Sequence, residues 1–262
     1  MTLFLLITSN GIINYLNKHN KYDINIDGGF IMKKLVVAMI TVLMFFYYTM
    51  PVNAKTIDDT EKIILIDAGH GGIDGGAKSK NGTIEKDINL QIALKLKDCL
   101  EEKGYKVYMT RDSDEGLYEK GTTIKEKKRE DLKNRAKMKV DTSCDIFISI
   151  HQNMFPQSKC FGAQVWFASN DKSYKLATLI QNSLKETIKD NNKRVAKPAA
   201  EAYLILRDKY DGASILVECG FLSNPEEEMR LKSEEHQNLI VEGIVKGIDM
   251  YFDENIEIND AA

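Results

Sequence analysis

Residues 62–70 read Lys-Ile-Ile-Leu-Ile-Asp-Ala-Gly-His. A short apolar run that ends at small and polar residues is typical of a strand buried on both faces. Two further runs of this kind lie at residues 145–150 and 213–217, and segments with helical periodicity separate them. Because strands that alternate with helices form parallel sheets, the sequence predicts an α/β fold with a mostly parallel sheet and helices on both faces.

The remaining segments complete one predicted domain at residues 63–253, within the usual size range of a single domain. We predict shorter strands at residues 106–110 and 163–167, helices at residues 88–103, 125–140, 173–189 and 226–251, and loops at residues 112–123 and 191–202.

The amino-acid composition and net charge of the chain limit the kinds of partner that we expect. Apolar residues make up 43% and charged residues 29% of the chain, as in an ordinary folded domain. The net charge is −3, and no basic stripe with interleaved aromatic residues is present. Nucleic acid is therefore not expected as a partner.

The N-terminal region predicts export. Residues 32–54 begin with Met-Lys-Lys, continue as an apolar run and end in Val-Asn-Ala, the pattern of a signal peptide. The run is short for a membrane span, which favours a cleaved signal peptide. An uncleaved anchor is the alternative, and membrane contact is expected only through this segment. Residues 1–31 do not fit before such a signal, and we predict that translation starts at Met32. Residues 55–62 form a predicted linker and residues 254–262 a tail.

The four cysteines give no metal knuckle. No Cys-x-x-Cys pair occurs among Cys99, Cys144, Cys160 and Cys219. Cys144 and Cys160 flank one predicted strand and could be bridged after export. Buried free thiols are the preferred interpretation, because unpaired cysteine packs as a small apolar residue.

Chemically active side chains follow three of the buried strands. His70, His151 and Glu218 each come at or just after the end of an apolar run. The carboxyl ends of parallel strands meet at one rim of a sheet, where ligands bind. Glu85, which lies between the first strand and the first helix, can face the same rim. The sequence thus predicts a site with two imidazoles and two carboxylates.

Two imidazoles and one carboxylate are a common ligand set of catalytic zinc, with a position left for water. The second carboxylate can then carry protons, so Glu85 and Glu218 can divide these roles. The glycine-rich residues 69–76 do not predict a phosphate loop, because no Gly-Lys-Ser/Thr follows them. Of the other histidines, His19 lies before the predicted translation start at Met32, and His236 is expected to face solvent on a charged helix.

Four motifs in order resemble those of the zinc-dependent N-acetylmuramoyl-L-alanine amidases. Ile-Asp-Ala-Gly-His-Gly-Gly-Ile-Asp-Gly-Gly-Ala (66–77) is similar to the opening motif of that family. Glu85 before Lys-Asp-Ile-Asn-Leu matches the second motif, and Ser-Ile-His-Gln-Asn (149–153) matches the third. Leu-Val-Glu-Cys-Gly-Phe-Leu-Ser-Asn (216–224) matches the fourth. The ordered set spans the whole predicted domain.

The resemblance implies a six-stranded sheet and assigns roles to single residues. It implies that Zn²⁺ is held by three side chains and that a fourth is catalytic: His70, Glu85 and His151 as ligands, Glu218 as the catalytic carboxylate. Leu-Ile-Leu-Arg (204–207) is similar to a segment near the substrate, so Arg207 is a predicted substrate contact, as is the retained Asn153. Gln152 departs from the small residue that often follows the third-motif histidine.

The layout of a signal and one catalytic domain resembles the germination-specific amidases of spore-forming bacteria. That resemblance implies hydrolysis of the bond between N-acetylmuramic acid and L-alanine in cortex peptidoglycan, before a separate deacetylase completes muramic-δ-lactam. The expected location is the forespore intermembrane space or the cortex. Because the predicted domain lacks a wall-binding repeat, an exported accessory or activator protein is a further expected partner.

Other functions compete with this interpretation. A vegetative autolysin or a cell-separation amidase would share the same four motifs. A zinc peptidase or deacetylase would share the site chemistry, although no His-Glu-x-x-His occurs. A non-catalytic peptidoglycan-binding domain would be free to lose the four site residues, and all four are present.

Overall fold

The computed structural model describes residues 36, 38–41 and 61–253. Residues 36 and 38–41 are helical, and they belong to a separate unit of the chain from the domain that follows. Among the described residues, no helix combines the length and the apolar character needed to cross a bilayer. Residues 1–31, the predicted tail, and most of the signal segment and of the linker lie outside the described residues.

One mixed sheet forms the centre of the domain. Its strands are β1 (Ile63–Ala68), β2 (Lys106–Met109), β3 (Ile146–Asn153), β4 (Gln164–Phe167), β5 (Lys197–Pro198) and β6 (Ala213–Phe221). They lie in the order β2-β1-β3-β6-β4-β5. Every neighbouring pair is parallel except β4 and β6, which run antiparallel. The predicted mostly parallel, six-stranded sheet is therefore confirmed.

Helices cover both faces of this sheet, as predicted. They are α1 (Glu85–Glu102), α2 (Ile124–Thr142), α3 (Asp171–Ile188), α4 (Pro225–Leu231) and α5 (Glu234–Phe252), with a 3₁₀ turn at Leu204–Leu206. Alternate residues of each strand point to opposite faces. Ile64 and Ile66 pack in one apolar cluster with α1, α3 and α5, whereas Leu65 packs in a second cluster with the 3₁₀ turn and Met138 of α2.

The predicted single helix at residues 226–251 is wrong, because the structure divides it. Helix α4 ends at Leu231, and α5 begins at Glu234 after Ser233. The Ser233 hydroxyl accepts a hydrogen bond from the backbone N–H of His236 and so starts a new helix. The expected exposure of His236 is wrong as well, since its side chain is buried.

The strands that carry the predicted site run further than the sequence suggests. β3 continues to Asn153 and β6 to Phe221, so His151 and Glu218 lie within strands instead of after them. Helix α1 begins at Glu85, three residues before its predicted start. The predicted loop at residues 191–202 contains the two-residue strand β5. All four cysteines are free thiols.

Candidate active site

The central strands bring the predicted site residues to one rim of the sheet. In the parallel ladder of β3 and β6, His151 is the direct neighbour of Glu218. His70 follows the end of β1, which pairs with the other edge of β3. Glu85 is the first residue of α1, and the backbone N–H of Glu85 donates to the carbonyl of Ala77. Four side chains from four segments therefore meet at the carboxyl ends of the strands.

Glu85 lies between the two imidazole rings. Its Oε1 is 3.2 Å from His70 Nε2 and 2.9 Å from His151 Nδ1. The ring centroids of the two histidines are 4.8 Å apart, with their planes nearly perpendicular. The backbone N–H of Gln152 also donates to Glu85 Oε1, and that of Ala77 donates to Oε2. These bonds set the orientation of the carboxylate.

This group of side chains fits a zinc ion. Ligand atoms of His70, Glu85 and His151 all lie within 4.8 Å of one another. In a tetrahedral site with bonds of about 2.0–2.1 Å, neighbouring ligand atoms stand about 3.3 Å apart. Two of the three separations, those from Glu85 Oε1 at 2.9 and 3.2 Å, are close to that spacing. The donors are also the types that zinc prefers, two imidazole nitrogens and one carboxylate oxygen.

A second carboxylate orients His70 from behind. Asp74 Oδ2 lies 2.9 Å from His70 Nδ1, which leaves Nε2 directed at Glu85. Histidines that bind metals usually donate their other ring nitrogen to a carboxylate or carbonyl in this way. Asp74 itself pairs with Lys128 at 2.6 Å. The sequence signal was an aspartate within the glycine-rich loop, four residues after the histidine.

Two glycines of residues 69–76 leave room for the predicted ligands. A β-carbon at Gly69 would collide with the imidazole of His151, and one at Gly76 would collide with Glu85 and His70. Gly76 also has a φ of +69°, a conformation that glycine adopts at little cost. His70 has a φ of +63°, which is unusual for a residue with a side chain. Glycine is thus required at these two positions because the side chains of His70, Glu85 and His151 pack directly against the loop backbone.

Charges within the cluster shift its titration. Burial by itself would lower the pKa of His70, but the carboxylates of Asp74 and Glu85 raise it to about 9. Burial would raise the pKa of Glu85, yet hydrogen bonds from His151 and His70 hold it well below its usual range. Without a cation, Glu85 is therefore an anion, and the imidazolium of His70 supplies balancing positive charge. A bound metal cation would take over that balance and release a proton.

Glu218 has a different environment, although it lies beside His151. Its side chain is 8% exposed, and burial raises the pKa of its carboxyl, with Glu85 adding to the rise. His151, Tyr203 and His70 act in the opposite direction. Among the described residues, Oε2 has no hydrogen-bond partner. A buried carboxylate with a raised pKa is suited to accept and return protons near neutral pH.

Tyr203 is a site residue that the sequence interpretation missed. Its hydroxyl lies 3.4 Å from Glu218 Oε1, and its ring packs on Trp166 with centroids 5.8 Å apart. Burial and the charge of Glu218 raise the pKa of Tyr203, so its hydroxyl stays protonated and can donate. The available signal was an aromatic residue directly before Leu-Ile-Leu-Arg.

These groups open into a cleft of about 420 Å³. Its lining combines polar site residues with an apolar wall: His70, Ala77, Glu85, Leu132, His151, Gln152, Asn153, Met154, Ala202, Tyr203, Leu204, Ile205, Leu216 and Glu218. Asn153, a predicted substrate contact, is among them. Arg207 is not, and its guanidinium bonds to the backbone carbonyl and the side chain of Glu201.

Gln152 supports the site from the buried side of β3. Its Nε2 donates to Asn89 Oδ1 at 3.1 Å, while Asn89 Nδ2 donates to Gly69 O at 3.1 Å. Asn89 Nδ2 also lies 3.4 Å from Glu85 Oε1. The amide of the larger side chain at position 152 is therefore bound to α1.

The domain matches known proteins over its whole length. A family model described as N-acetylmuramoyl-L-alanine amidase matches residues 64–250. The chain is 40% identical over 195 residues to the "Germination-specific N-acetylmuramoyl-L-alanine amidase" of Bacillus subtilis, covering 74% of this chain and 81% of the relative. It is 33% identical to the "Probable cell wall amidase LytH" of Staphylococcus saprophyticus, covering 77% of this chain and 62% of that relative.

A solved structure agrees with these sequence matches. The CwlD amidase from Clostridioides difficile, solved in complex with the GerS lipoprotein, superposes with a TM-score of 0.70 at 42% identity. The match covers 73% of this chain and 98% of that chain. The four motifs, the sheet order and these similarities lead to one conclusion: the chain belongs to the N-acetylmuramoyl-L-alanine amidase family and is an enzyme of that class.

Proposed function

We propose that this amidase is zinc-dependent, with His70, Glu85 and His151 as ligands and Glu218 as the catalytic carboxylate. The observation that carries this proposal is the cluster of three ligand atoms within 4.8 Å of one another, beside a buried carboxyl that has one unpartnered oxygen among the described residues. The substrate bond is the amide between the lactyl group of N-acetylmuramic acid and L-alanine in peptidoglycan.

Each group has a defined task in this proposal. Zinc bound at the three side chains would act as a Lewis acid toward water and the amide carbonyl. Glu218 takes one proton from the attacking water and returns it to the amine nitrogen of the leaving L-alanine. Tyr203 donates to Oε1 of Glu218 and so directs Oε2 toward the substrate. Asn153 lines the cleft, and Arg207 directly follows the 3₁₀ turn that contributes to its lining. We propose that both contact the glycan or the stem peptide.

Mass spectrometry of digested peptidoglycan tests the reaction and its metal. We expect free stem peptides and peptide-free muramic acid after digestion, and neither product after removal of zinc with a chelator. Readdition of zinc should restore both. Unchanged cleavage by protein that metal analysis shows to be zinc-free would reject the zinc site while leaving the family assignment intact.

We further propose that the substrate is spore cortex peptidoglycan. The support is the identity of 40% over 81% of the germination-specific relative, against 33% over 62% of the probable cell wall amidase. A vegetative autolysin or cell-separation enzyme is the alternative. In the cortex, removal of the peptide precedes formation of muramic-δ-lactam. The two assignments therefore differ in whether muramic-δ-lactam forms in the wall that the enzyme acts on.

Complementation distinguishes these two substrates. In a spore former that lacks its own germination-specific amidase, this chain should restore muramic-δ-lactam to the cortex, and Glu218→Gln should not. Restored cell separation in an autolysin-deficient strain, without cortex lactam in the first strain, would assign the enzyme to the vegetative wall instead.

Export is part of the proposal, because the substrate lies outside the cytoplasmic membrane. We propose that residues 32–54 act as a signal peptide or an uncleaved anchor and that Met32 is the start of translation. Amino-terminal sequencing of the early and mature products tests both points. Residues that precede Met32 in the early product would contradict the proposed start.

We also propose that an exported accessory protein docks on the domain. The similar CwlD amidase was solved in complex with the GerS lipoprotein. In this chain the helical faces are the expected docking surface, because the rim of the sheet must stay open to glycan. Zinc occupancy and hydrolysis should rise when an exported-protein extract is added to the purified enzyme. Full zinc loading and full activity in isolation would leave the partner no role in catalysis.

A further inference from the structure

Helix α2 is attached to the domain in an unusual way. A helix on a protein surface normally docks through an apolar stripe. Of the 19 residues of α2, only Arg135 and Lys139 are fully buried. Ile124 and Val140 are two-thirds exposed, and Leu132 is more than one-third exposed. The fully buried side chains of this helix are therefore two cations that stand one turn apart, and the partly buried Met138 packs against the second apolar cluster.

Arg135 holds the loop that carries His70. Its Nη1 donates to Asp67 Oδ1 at 2.6 Å and to the carbonyl of Ala68 at 2.8 Å, and its Nη2 donates to the carbonyl of His70 at 2.6 Å. Asp131, one turn back on α2, accepts from its Nε and fixes the guanidinium plane. These bonds hold the backbone of His70 in its left-handed conformation, which is strained for a residue with a side chain.

A second guanidinium supports the same loop. Arg111, just after β2, donates through Nε to the carbonyls of His70 at 2.7 Å and Ala68 at 2.8 Å. Its Nη2 donates to the carbonyl of Gly69 at 3.1 Å. Because two cations share three carbonyls, loss of Arg135 should loosen the loop without releasing it.

Lys139 holds the opposite element of the cleft. Its ammonium donates to the carbonyl of Ile205 in the 3₁₀ turn and pairs with Asp208 at 3.0 Å. It also lies 4.3 Å from the ring centroid of Phe147. The turn directly follows Tyr203, whose hydroxyl reaches Glu218. Arg135, which bonds to the His70 loop, and Lys139, which bonds to the turn after Tyr203, are therefore one helical turn apart.

Stability alone is a poor reason for this arrangement. Burying a charge carries a large desolvation cost, and well-packed apolar side chains of similar size often stabilise a fold as much or more. Apolar contacts, however, are not directional. Hydrogen bonds from a cation to specified carbonyls fix where a loop lies, which a reactive site requires to within about 0.5 Å.

We propose that α2 is a positioning element of the active site, with Arg135 placing the His70 loop for metal binding and Lys139 placing the Tyr203 turn for action through Glu218. This inference rests on the proposed zinc site. It assigns the two buried cations of one helix to two separable properties of the enzyme, zinc affinity and turnover.

Two substitutions on the same helix test the assignment. Arg135→Lys keeps a positive charge but replaces the planar guanidinium, whose separate nitrogens bond to Asp67, His70 and Asp131, with a single nitrogen on a flexible chain. We expect its zinc dissociation constant, measured by competition with a chromophoric chelator, to rise about tenfold or more, as for other outer contacts of metal ligands. Lys139→Met should leave that constant within about twofold and lower kcat at saturating zinc between about tenfold and 10²-fold.

Two gentler substitutions cover the case in which these variants do not fold. Asp131→Asn and Asp208→Asn each remove the charge of one partner and keep its shape. The first should weaken zinc binding, and the second should lower kcat. Lys137, on the same helix, is 69% exposed and pairs with Asp141, so Lys137→Met is the matched control and should change neither quantity.

The outcomes separate this inference from the proposed function. If the wild-type enzyme binds no zinc, the proposed zinc site fails. If it binds zinc but the Arg135 and Lys139 variants alter zinc affinity and kcat together, in proportion to their loss in Tm, the two cations serve only general stability and the inference is overturned. Unchanged zinc affinity in both the Arg135 and Asp131 variants would overturn it as well.

Discussion

The loop at residues 69–76 and the turn at Leu204–Leu206 both line the cleft, but the protein holds them differently. Two guanidiniums donate to three successive carbonyls at the start of the loop. A single ammonium donates to one carbonyl of the turn. A metal site requires fixed ligand geometry, whereas a wall that meets a polymer must let it enter and leave. The stronger support lies where the demand for precision is greater.

The largest effect is expected on the side of the loop. His70→Ala removes one of three predicted ligands, and His151→Ala removes another, so each should abolish zinc binding and hydrolysis together. Metal analysis and muropeptide assays on the same preparations check this. A variant with full activity would remove that residue from the site.

A large effect with a different signature is expected at Glu218. Glu218→Gln keeps the shape of the side chain and removes its basic carboxylate, so turnover should fall about 10²–10⁴-fold. Zinc content and Tm should stay close to those of the wild type. Retained zinc with lost turnover would show that the two sides of the cleft have separate tasks, and a near-normal rate would make Glu218 structural.

A smaller effect is expected at Tyr203. Tyr203→Phe keeps the packing on Trp166 but removes the hydrogen bond to Glu218. Bonds to charged groups contribute about 1.5–3 kcal/mol, so kcat should fall at least about tenfold, with little change in KM. In the double variant with Glu218→Gln, this loss should largely disappear, because the bond has no anionic acceptor left.

Tyr210→Phe is the matched control for Tyr203. Tyr210 lies in the same connection, and its hydroxyl donates to the backbone carbonyl of Cys144 at 2.7 Å, away from the cleft residues. Its loss should lower Tm and leave kcat unchanged. Equal losses of kcat in the two tyrosine variants would refute the special role of Tyr203.

The smallest effect is expected at Cys219, although it is adjacent to Glu218. Its side chain is 2% exposed within the apolar cluster, and burial raises the pKa of its thiol well above the usual range. Cys219→Ala should therefore leave kcat unchanged and destabilise the fold by about 1 kcal/mol. A large drop in turnover with normal Tm would indicate that the thiol takes part in the reaction.

The fold could be predicted from the sequence because the patterns that indicate its strands and helices are local. The apolar runs at residues 63–66, 145–150 and 213–217 each correspond to a strand, and the rule for parallel sheets brought His70, His151 and Glu218 to one rim. Their metal-binding and catalytic roles stay predictions. The predicted helix at residues 226–251 was wrong, because periodicity shows which faces are apolar but does not show that Ser233 caps a second helix.

By itself, the sequence determined the family, the fold class and the four residues of the candidate site, since each depends on a short motif or a local pattern. Only the tertiary structure revealed what holds those residues. Arg135 lies 65 positions from His70 and Lys139 lies 66 positions from Ile205, and in the sequence both belong to an ordinary charged helix. The same residue type, arginine or lysine, can be buried or solvated, and only its packing against carbonyls that are distant in the sequence distinguishes the two cases.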